Sequence, residues 1–316
     1  MKVVTVTLNP AIDLTVRADH LQLGLVNAGH DLQMHAAGKG VNVASILADA
    51  GLQVTATGLL GDENPEAFER LFARKGIQDQ FVRIPGGTRL GLKIVDETRN
   101  QTTDINLPGI QVSEKDLLKI QHRILDLAEE HDLFVLAGSL PPGIPEDFYF
   151  HLTLELKKLG KKVVLDTSNS PLMEGIKALP DGVKPNLHEL SVLTGKDLHN
   201  AQDALEAVQH WRGFETLVVS MGEQGALFLS AGQAVQAIPP RVNVKSTVGA
   251  GDAMVAGLVT ALSRGLDLES TARLATSFSA GSIQQVGANL PDPATLQQLQ
   301  ANVELLTLNP QVEGHL

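Results

Sequence analysis

Short runs of β-branched and aliphatic residues alternate along this chain with longer segments in which apolar residues recur at helical spacing. The short runs predict buried strands at residues 3–8, 53–60, 133–137, 162–166 and 216–220. The longer segments predict helices at residues 41–50, 65–75, 114–130, 148–159, 201–212 and 272–283. Because strands and helices alternate, the pattern predicts an α/β fold with a mainly parallel sheet.

Two segments interrupt this alternation. Residues 14–36 and 88–107 contain strand-like alternation with no helix between the strands. In a parallel α/β core such segments form a small accessory sheet, which could cover a ligand site at the carboxyl ends of the core strands as a lid. The sequence shows no internal repeat or long linker, so we expect a single domain over residues 1–316 that carries a lid.

Composition narrows the class of protein. A formal net charge of −11 argues against a general binder of nucleic acid or anionic membranes, since such proteins carry a basic surface. The chain has no cysteine, which excludes disulfides and zinc–thiolate sites and fits a reducing compartment. Residues 1–10 are interrupted by polar side chains and predict a first strand rather than a signal segment. We therefore expect a cytoplasmic protein without a nucleic-acid or membrane partner.

The sequence Gly-Ala-Gly-Asp at residues 249–252 carries the strongest chemical signal. The small residues Gly249, Ala250 and Gly251 let backbone N–H groups approach an anion, and a helix that starts here adds positive partial charge. The carboxylate of Asp252 could then take a proton from an attacking hydroxyl. These are the requirements of phosphoryl transfer to an alcohol, although a tight loop with an aspartate favoured by the helix dipole explains the motif equally well.

A second anion-binding pattern lies near the N-terminus. Gly38, Lys39 and Gly40 precede an apolar helix, which describes a backbone-lined anion site with a point charge. The spacing is not that of a P-loop, and a glycine turn with an exposed lysine is the alternative. Asp13 follows the first strand, where it could accept hydrogen bonds from two sugar hydroxyls, but it could also be a turn residue.

Five motifs occur together in one order. They are Asn-Pro-Ala-Ile-Asp at 9–13, Ala-Gly-Lys-Gly-Val-Asn at 37–42, Ala-Gly-Ser-Leu-Pro-Pro-Gly at 137–143, Lys-Pro-Asn-Leu-His-Glu-Leu at 184–190 and Gly-Ala-Gly-Asp at 249–252. In this combination the chain resembles the PfkB/ribokinase family of sugar kinases over nearly its whole length. The resemblance implies a ribokinase-like fold, with a three-layer αβα core and a small β-sheet lid.

The resemblance also implies roles around the transferred phosphate. Asp252 corresponds to the catalytic base, and Gly249, Ala250 and Gly251 correspond to the anion hole. Glu189 is expected to organise magnesium through water, although it could be a solvated helix glutamate. Asp166 is expected in the outer shell of the metal, although it could instead cap a helix. The nucleotide-binding positions implied by the family are Lys184, Asn186, Ser220, Gly222, Gly225, Gly249, Gly251 and Thr276.

On the sugar side, the family pattern places Asp13, Gly38 and Asn42 on hydroxyl groups and Ser139 at the edge of the pocket. Lys39 and Arg89 are the candidates for a phosphate that the substrate already carries, because a guanidinium on a lid can grip it on closure. A surface role is the alternative for Arg89. Many family members have an acidic residue at the position of Ser246, so potassium activation is in doubt for this chain.

The substrate implied by the Lys39–Arg89 pair is a sugar phosphate. The branch of the family that this chain is most similar to implies phosphorylation of fructose 1-phosphate to fructose 1,6-bisphosphate by ATP and Mg²⁺, with tagatose 6-phosphate or fructose 6-phosphate as alternatives. A noncatalytic sugar-phosphate sensor is the alternative from another class. A dinucleotide-binding oxidoreductase is disfavoured because residues 9–13 lack its glycine fingerprint. Family members dimerise through the lid, so we expect a homodimer.

Overall fold

The computed structural model describes residues 1–99 and 101–308. In this part of the chain the strands β1 to β15 are Val3–Thr7, Ala11–Ala18, Gly29–Ala37, Val54–Gly61, Gln78–Asp79, Val82–Ile84, Leu90–Asp96, Gln101–Asn106, Leu133–Ala137, Lys162–Asp166, Gly182–Val183, Thr216–Ser220, Ala226–Ser230, Gln233–Ile238 and Glu304–Leu308. The helices α1 to α10 are Lys39–Asp49, Glu66–Lys75, Glu114–Leu127, Phe148–Lys158, Asn169–Gly175, Leu187–Thr194, Ala201–Val208, Ala250–Arg264, Leu268–Ser282 and Pro293–Ala301.

The large sheet has the strand order β5-β4-β1-β9-β10-β11-β12-β13-β14-β15, and β6 also pairs with β4. Every pair from β5 to β12 is parallel, which confirms the predicted mainly parallel sheet. The strands β13 to β15 add antiparallel pairs at one edge. These three strands were not predicted from the sequence. Polar residues interrupt the apolar positions of β14 and β15, whereas the apolar run at residues 226–229 of β13 was overlooked.

Helices cover both faces of this sheet and give three layers. On β9 the side chains of Leu133 and Val135 enter the core beneath α1, α2, α8 and α9, whereas Phe134 and Leu136 enter the core beneath α3, α4 and α7. This division follows from the alternation of side chains along a strand. The sequence reads as continuously apolar here because both faces of the sheet are covered.

Both interrupting segments contribute to a separate four-stranded sheet with the order β3-β2-β7-β8. This lid sheet confirms the predicted accessory sheet, although its first hairpin spans residues 11–37 rather than 14–36. Residue 100, within the predicted 88–107 segment, lies outside the described residues. Asp13 sits inside β2, paired with Gly91 of β7, so the alternative of a turn residue is wrong.

The chain order of the strands creates a crevice at the carboxyl edge of the large sheet. From β1 the chain moves to β4 on one side, and it later returns to β9 on the other side of β1. Ligands bind at such a switch point in open α/β sheets, since neighbouring connections leave in opposite directions. No helix within residues 1–99 and 101–308 has the length and apolar character needed to cross a membrane.

Candidate active site

The loops after β1 and β9 meet at the crevice. The Asn9 Nδ2 atom, after β1, donates a hydrogen bond of 3.0 Å to Ser139 Oγ, after β9. Helix α1 begins close to the same strand end. Its N-cap is Gly38, whose φ of 127° lies in the region that favours glycine. A Cβ atom at Gly38 would lie 2.9 Å from the Thr7 side chain, so a larger residue would push the helix away from the crevice.

Two lysines and a buried carboxylate form the floor of the site. Asp166 ends β10, Lys184 follows β11, and Lys39 opens α1. The Asp166 Oδ1 atom lies 3.1 Å from Lys39 Nζ and 3.4 Å from Lys184 Nζ. Asp166 Oδ2 is buried without a hydrogen-bond partner among the described residues. The alternative of a helix cap for Asp166 is wrong, since Ser168 occupies the N-cap of α5.

The charges of this floor stabilise one another. Burial opposes ionisation of Asp166, but the ammonium groups of Lys184 and Lys39 outweigh it and hold the pKa of the carboxyl below its usual value. Burial likewise opposes the charge on Lys39, and the carboxylates of Asp166 and Asp252 overcome it and raise its pKa. The side chain of Lys184 is only 6% exposed. The floor therefore holds two fixed positive charges and one negative charge.

Asp252 lies in the first turn of α8, above this floor. The helix starts through Gly249, whose left-handed φ of 83° places the small residues of 249–251 at the helix N-terminus, as predicted. Asn42 Nδ2 donates a hydrogen bond of 2.7 Å to Asp252 Oδ2. Burial, followed by repulsion from Asp166, raises the pKa of Asp252 to about 6. A carboxylate with that pKa is suited to accept a proton near neutral pH.

The buried ammonium of Lys184 lies directly beneath the glycine loop. A Cβ atom at Gly251 would be 3.4 Å from Lys184 Nζ. The loop amides, the N-terminus of α8 and this ammonium thus all place positive charge on one spot. Such a spot favours a phosphoryl group, and favours it most when negative charge on its oxygens increases.

Several residues predicted to bind the nucleotide or its metal lie at the start of α6 and around the end of β12. Asn186 caps α6, and its side chain accepts the Glu189 N–H while Glu189 Oε2 accepts the Asn186 N–H, each at 2.8 Å. Glu189 is therefore held in a capping box and is more than a solvated helix residue. Ser220 forms a backbone bridge with Asn186, which brings the end of β12 beside the start of α6.

Three further candidates for nucleotide binding are two glycines with positive φ and one buried threonine. Gly222 and Gly225 bound a single 3₁₀ turn after β12 with φ of 58° and 82°. A Cβ atom at Gly225 would lie 1.9 Å from the Ala237 carbonyl oxygen, so this position requires glycine. Thr276 is 1% exposed on α9, and its hydroxyl has no partner among the described residues.

The sugar-side candidates are divided between the lid and α1. Asp13 forms an ion pair with Lys93 of β7, a residue that the sequence analysis missed because nothing around it marks it. Arg89 lies just before β7, and its Nε and Nη2 atoms donate to the Asn9 carbonyl oxygen at 3.4 and 3.3 Å. Burial lowers the pKa of Arg89, and Asp13 opposes this effect. Arg89 is thus half-buried at the root of the lid rather than free on the surface.

Lys39 and Arg89 have different hydrogen-bond partners in the structure. Lys39 bonds Asp166 at the floor, whereas Arg89 bonds the backbone after β1. Among the described residues no cluster of three or more His, Asp or Glu side chains is arranged to hold a metal ion.

Comparison with known proteins agrees with this geometry. The family model described as pfkB family carbohydrate kinase matches residues 6–295. The chain belongs to the pfkB family of carbohydrate kinases. Membership of this family implies ATP as the phosphoryl donor, so the chain is an ATP-dependent carbohydrate kinase.

Relatives and solved structures of the family cover nearly the whole chain. A 1-phosphofructokinase from Vibrio cholerae is 43% identical over 311 residues, covering 98% of each chain. One from Rhodobacter capsulatus is 44% identical over 313 residues, covering 98% of this chain and 99% of its own. Phosphofructokinase-2 from Escherichia coli, solved in complex with substrates and products, has a TM-score of 0.87 and 26% identity over 95% of this chain and 99% of its own. The same Escherichia coli enzyme also has a tetrameric inhibited form.

The raised pKa of Asp252 predicts the acid limb of the activity profile. A general base at this position would have to be ionised to accept a proton, so with Asp252 in the role predicted from the sequence we expect kcat/KM to fall about tenfold per pH unit below about 6. The substrate phosphate titrates in the same range, so the control is Asn42→Ala. Asn42 stabilises the charged form of Asp252, and its removal should move the acid limb upward by about one pH unit. An acid limb that stays in place would show that another group titrates.

Proposed function

We propose that this chain transfers the γ-phosphoryl group of ATP to fructose 1-phosphate and releases fructose 1,6-bisphosphate and ADP. The observation that carries the proposal is the position of Asp252, a buried carboxylate with raised pKa, beside the positive spot formed by residues 249–251 and Lys184. The relatives named 1-phosphofructokinase support fructose 1-phosphate over tagatose 6-phosphate and fructose 6-phosphate.

In this proposal each residue of the floor has a separate task. Asp252 accepts the proton of the attacking sugar hydroxyl, and Asn42 holds the Asp252 carboxylate toward that hydroxyl. The new bond joins the sugar oxygen to the γ-phosphorus, and the bond from that phosphorus to the leaving ADP oxygen breaks. The amides of 249–251 and the ammonium of Lys184 stabilise the charge that develops on the transferred group.

We propose Mg²⁺ as the metal, held indirectly by Asp166 and Glu189. The residues fit this role, since Asp166 Oδ2 is a buried acceptor without a partner among the described residues. The capping box fixes Glu189 at the start of α6, beside the end of β12. Magnesium keeps several waters and neutralises phosphate charge, so carboxylates that act through water suit it.

Arg89 is the better candidate for the phosphate that the sugar already carries. It is half-buried, its guanidinium is fixed by the Asn9 carbonyl oxygen, and it stands where the lid joins the crevice. Lys39 reaches the floor instead, where it can serve either phosphate. Asp13 on β2, Gly38, Asn42 and Ser139 remain the candidates for the sugar hydroxyls.

We also propose a homodimer formed through the lid sheet and a cytoplasmic location. The lid exposes the large apolar side chains of Leu23, Val26, Leu32 and Met34, which a second lid could cover.

The cytoplasmic location follows from the substrates. ATP and sugar phosphates are charged and do not cross a bilayer unaided, so the reaction belongs where both are present.

Arg89→Ala should weaken binding of the sugar phosphate without affecting the nucleotide. A hydrogen bond to a charged group is worth about 1.5–3 kcal/mol, so KM for fructose 1-phosphate should rise roughly ten- to hundredfold. Arg89→Lys should recover only part of this loss, because an ammonium lacks the fork of a guanidinium. The measurement is steady-state ADP release with each substrate varied in turn.

The matched control is Arg83→Ala, which removes a partly buried arginine that is paired with Asp79. It should leave both Michaelis constants unchanged. If Arg89→Ala lowers kcat/KM for free fructose as much as it lowers kcat/KM for fructose 1-phosphate, Arg89 shapes the lid rather than binding phosphate. Absence of ADP release by the unaltered protein with every sugar phosphate would instead favour the noncatalytic sensor.

A further inference from the structure

One face of α1 reaches beyond the catalytic floor. Asn42, Ser45 and Asp49 follow one another at spacings of three and four residues, so they lie on the same side of the helix. Asn42 bonds the Asp252 carboxylate at one end of this face. Ser45 and Asp49 continue the face away from the site.

Ser45 and Asp49 bond the segment that follows α9. The Ser45 hydroxyl, which is 2% exposed, donates to the Ala288 carbonyl oxygen at 2.7 Å. Asp49 Oδ2 accepts the Leu290 N–H at 3.0 Å. Residues 283–290 are therefore fixed to the helix that also contacts Asp252.

A lysine from α2 closes the same contact. Lys75 Nζ lies 2.5 Å from Asp49 Oδ1 and donates to Asn289 Oδ1 at 2.8 Å. The Lys75 side chain is only 11% exposed, so this ion pair is shielded from screening by salt. Asn289 in turn donates to the Val286 carbonyl oxygen, which holds the turn around Gly287.

The other end of the segment contacts the irregular chain at residues 239–249, which leads into the glycine loop. The Ile283 carbonyl oxygen accepts the N–H groups of Lys245 and Ser246 at 2.8 and 3.2 Å. The Ser246 side chain then accepts the Val248 N–H at 3.2 Å, directly before Gly249. The chain from residue 283 to residue 290 thus joins the contacts of Ser45 and Asp49 to the contacts at the start of the anion-binding loop.

We propose that Ser45 and Asp49 are positioning residues for phosphoryl transfer, acting through residues 283–290 to hold the glycine loop in place over the floor. Neither residue touches the reacting atoms. The proposal rests on the proposed kinase reaction, and it accounts for the polar residues of α1 that bond Asp252 and residues 288–290. Because a misplacement of about 1 Å at a reacting centre costs up to about a hundredfold in rate, such support is worth measurable activity.

The test is the double variant Ser45→Ala/Asp49→Ala. Its kcat should fall about tenfold while both Michaelis constants change less than about twofold, since the loop acts on the transition state. Hydrogen exchange of the Lys245 and Ser246 amides should become about tenfold faster, because their acceptor is no longer fixed. Asp49→Ala alone provides a second variant with smaller changes of the same kind if the double variant does not fold.

The matched control is Thr57→Val, which removes another hydroxyl bond to a carbonyl, from Thr57 Oγ1 to the Gln80 oxygen at 2.8 Å. It should leave kcat and the exchange of the 245–246 amides unchanged. Unchanged kcat or unchanged exchange in the double variant overturns the proposal while the kinase function stands. If the unaltered protein has no turnover, the kinase function fails, and exchange still decides whether Ser45 and Asp49 hold the loop.

Discussion

Asp252→Asn should abolish turnover and leave binding of ATP and sugar phosphate nearly intact. Loss of a general base typically lowers the rate about 10²- to 10⁴-fold, and asparagine keeps the size of the side chain. The amide of Asn42 would then face an uncharged oxygen or another N–H group, which could also misorient the attacking hydroxyl. The measurement is kcat from ADP release together with dissociation constants for both substrates.

The control for this change is Asp267→Asn at the N-cap of α9. Asp267 accepts the Ser270 N–H at 2.8 Å, and asparagine serves equally well as an N-cap. This variant should retain the kcat of the unaltered protein. If Asp252→Asn keeps more than about a tenth of kcat, Asp252 is not the general base.

Lys184→Met should produce the second largest loss. The ammonium lies beneath Gly251 and is buried, so we expect its charge to act on the transferred phosphoryl group in a poorly screened environment. Removal of one preorganised charge donor of this kind costs about 10²–10³ in kcat. Asp166 would then have only Lys39 as an ion-pair partner within hydrogen-bonding range, so thermal stability should fall as well.

Lys162→Met is the control for Lys184→Met, because it replaces a lysine that lies far from the glycine loop. Lys162 stands at the opposite end of β10 and pairs with Glu215 at the surface. Its replacement should change kcat by less than about twofold, as exposed ion pairs contribute little. A Lys184→Met enzyme with kcat within about threefold of the unaltered protein would show that the loop amides suffice without the ammonium.

Much of the site could be predicted from local sequence because the fold gathers residues that follow strands. Asp166 ends an apolar run, and the carboxyl ends of parallel strands share one edge. Lys184 follows only the two-residue strand β11 and was assigned through the family motif at 184–190. Gly249 and Asp252 were predictable for a different reason, since small residues before an aspartate describe a helix start. Local sequence therefore indicated Asp166 and Asp252 as separate candidates, and only the family resemblance grouped them into one site.

Pairings across long separations were not predictable in the same way. Lys39 and Asp166 are 127 residues apart, and only the packing of α1 onto the sheet brings them together. Lys93 was missed because its partner Asp13 lies on another strand of the lid. The contact from Ser45 to Ala288 spans 243 residues and leaves no local signal. The roles assigned to all of these residues stay predictions until the variants are measured.

The proposed phosphorylation of fructose 1-phosphate is tested by kcat/KM for three substrates under identical conditions. Fructose 1-phosphate, fructose 6-phosphate and tagatose 6-phosphate are each offered with ATP and Mg²⁺, and ADP release is followed. We expect the highest kcat/KM for fructose 1-phosphate, by at least about tenfold, because a fixed phosphate site aligns only one hydroxyl with Asp252. A higher kcat/KM for either 6-phosphate, or no ADP release with any of the three, would contradict it.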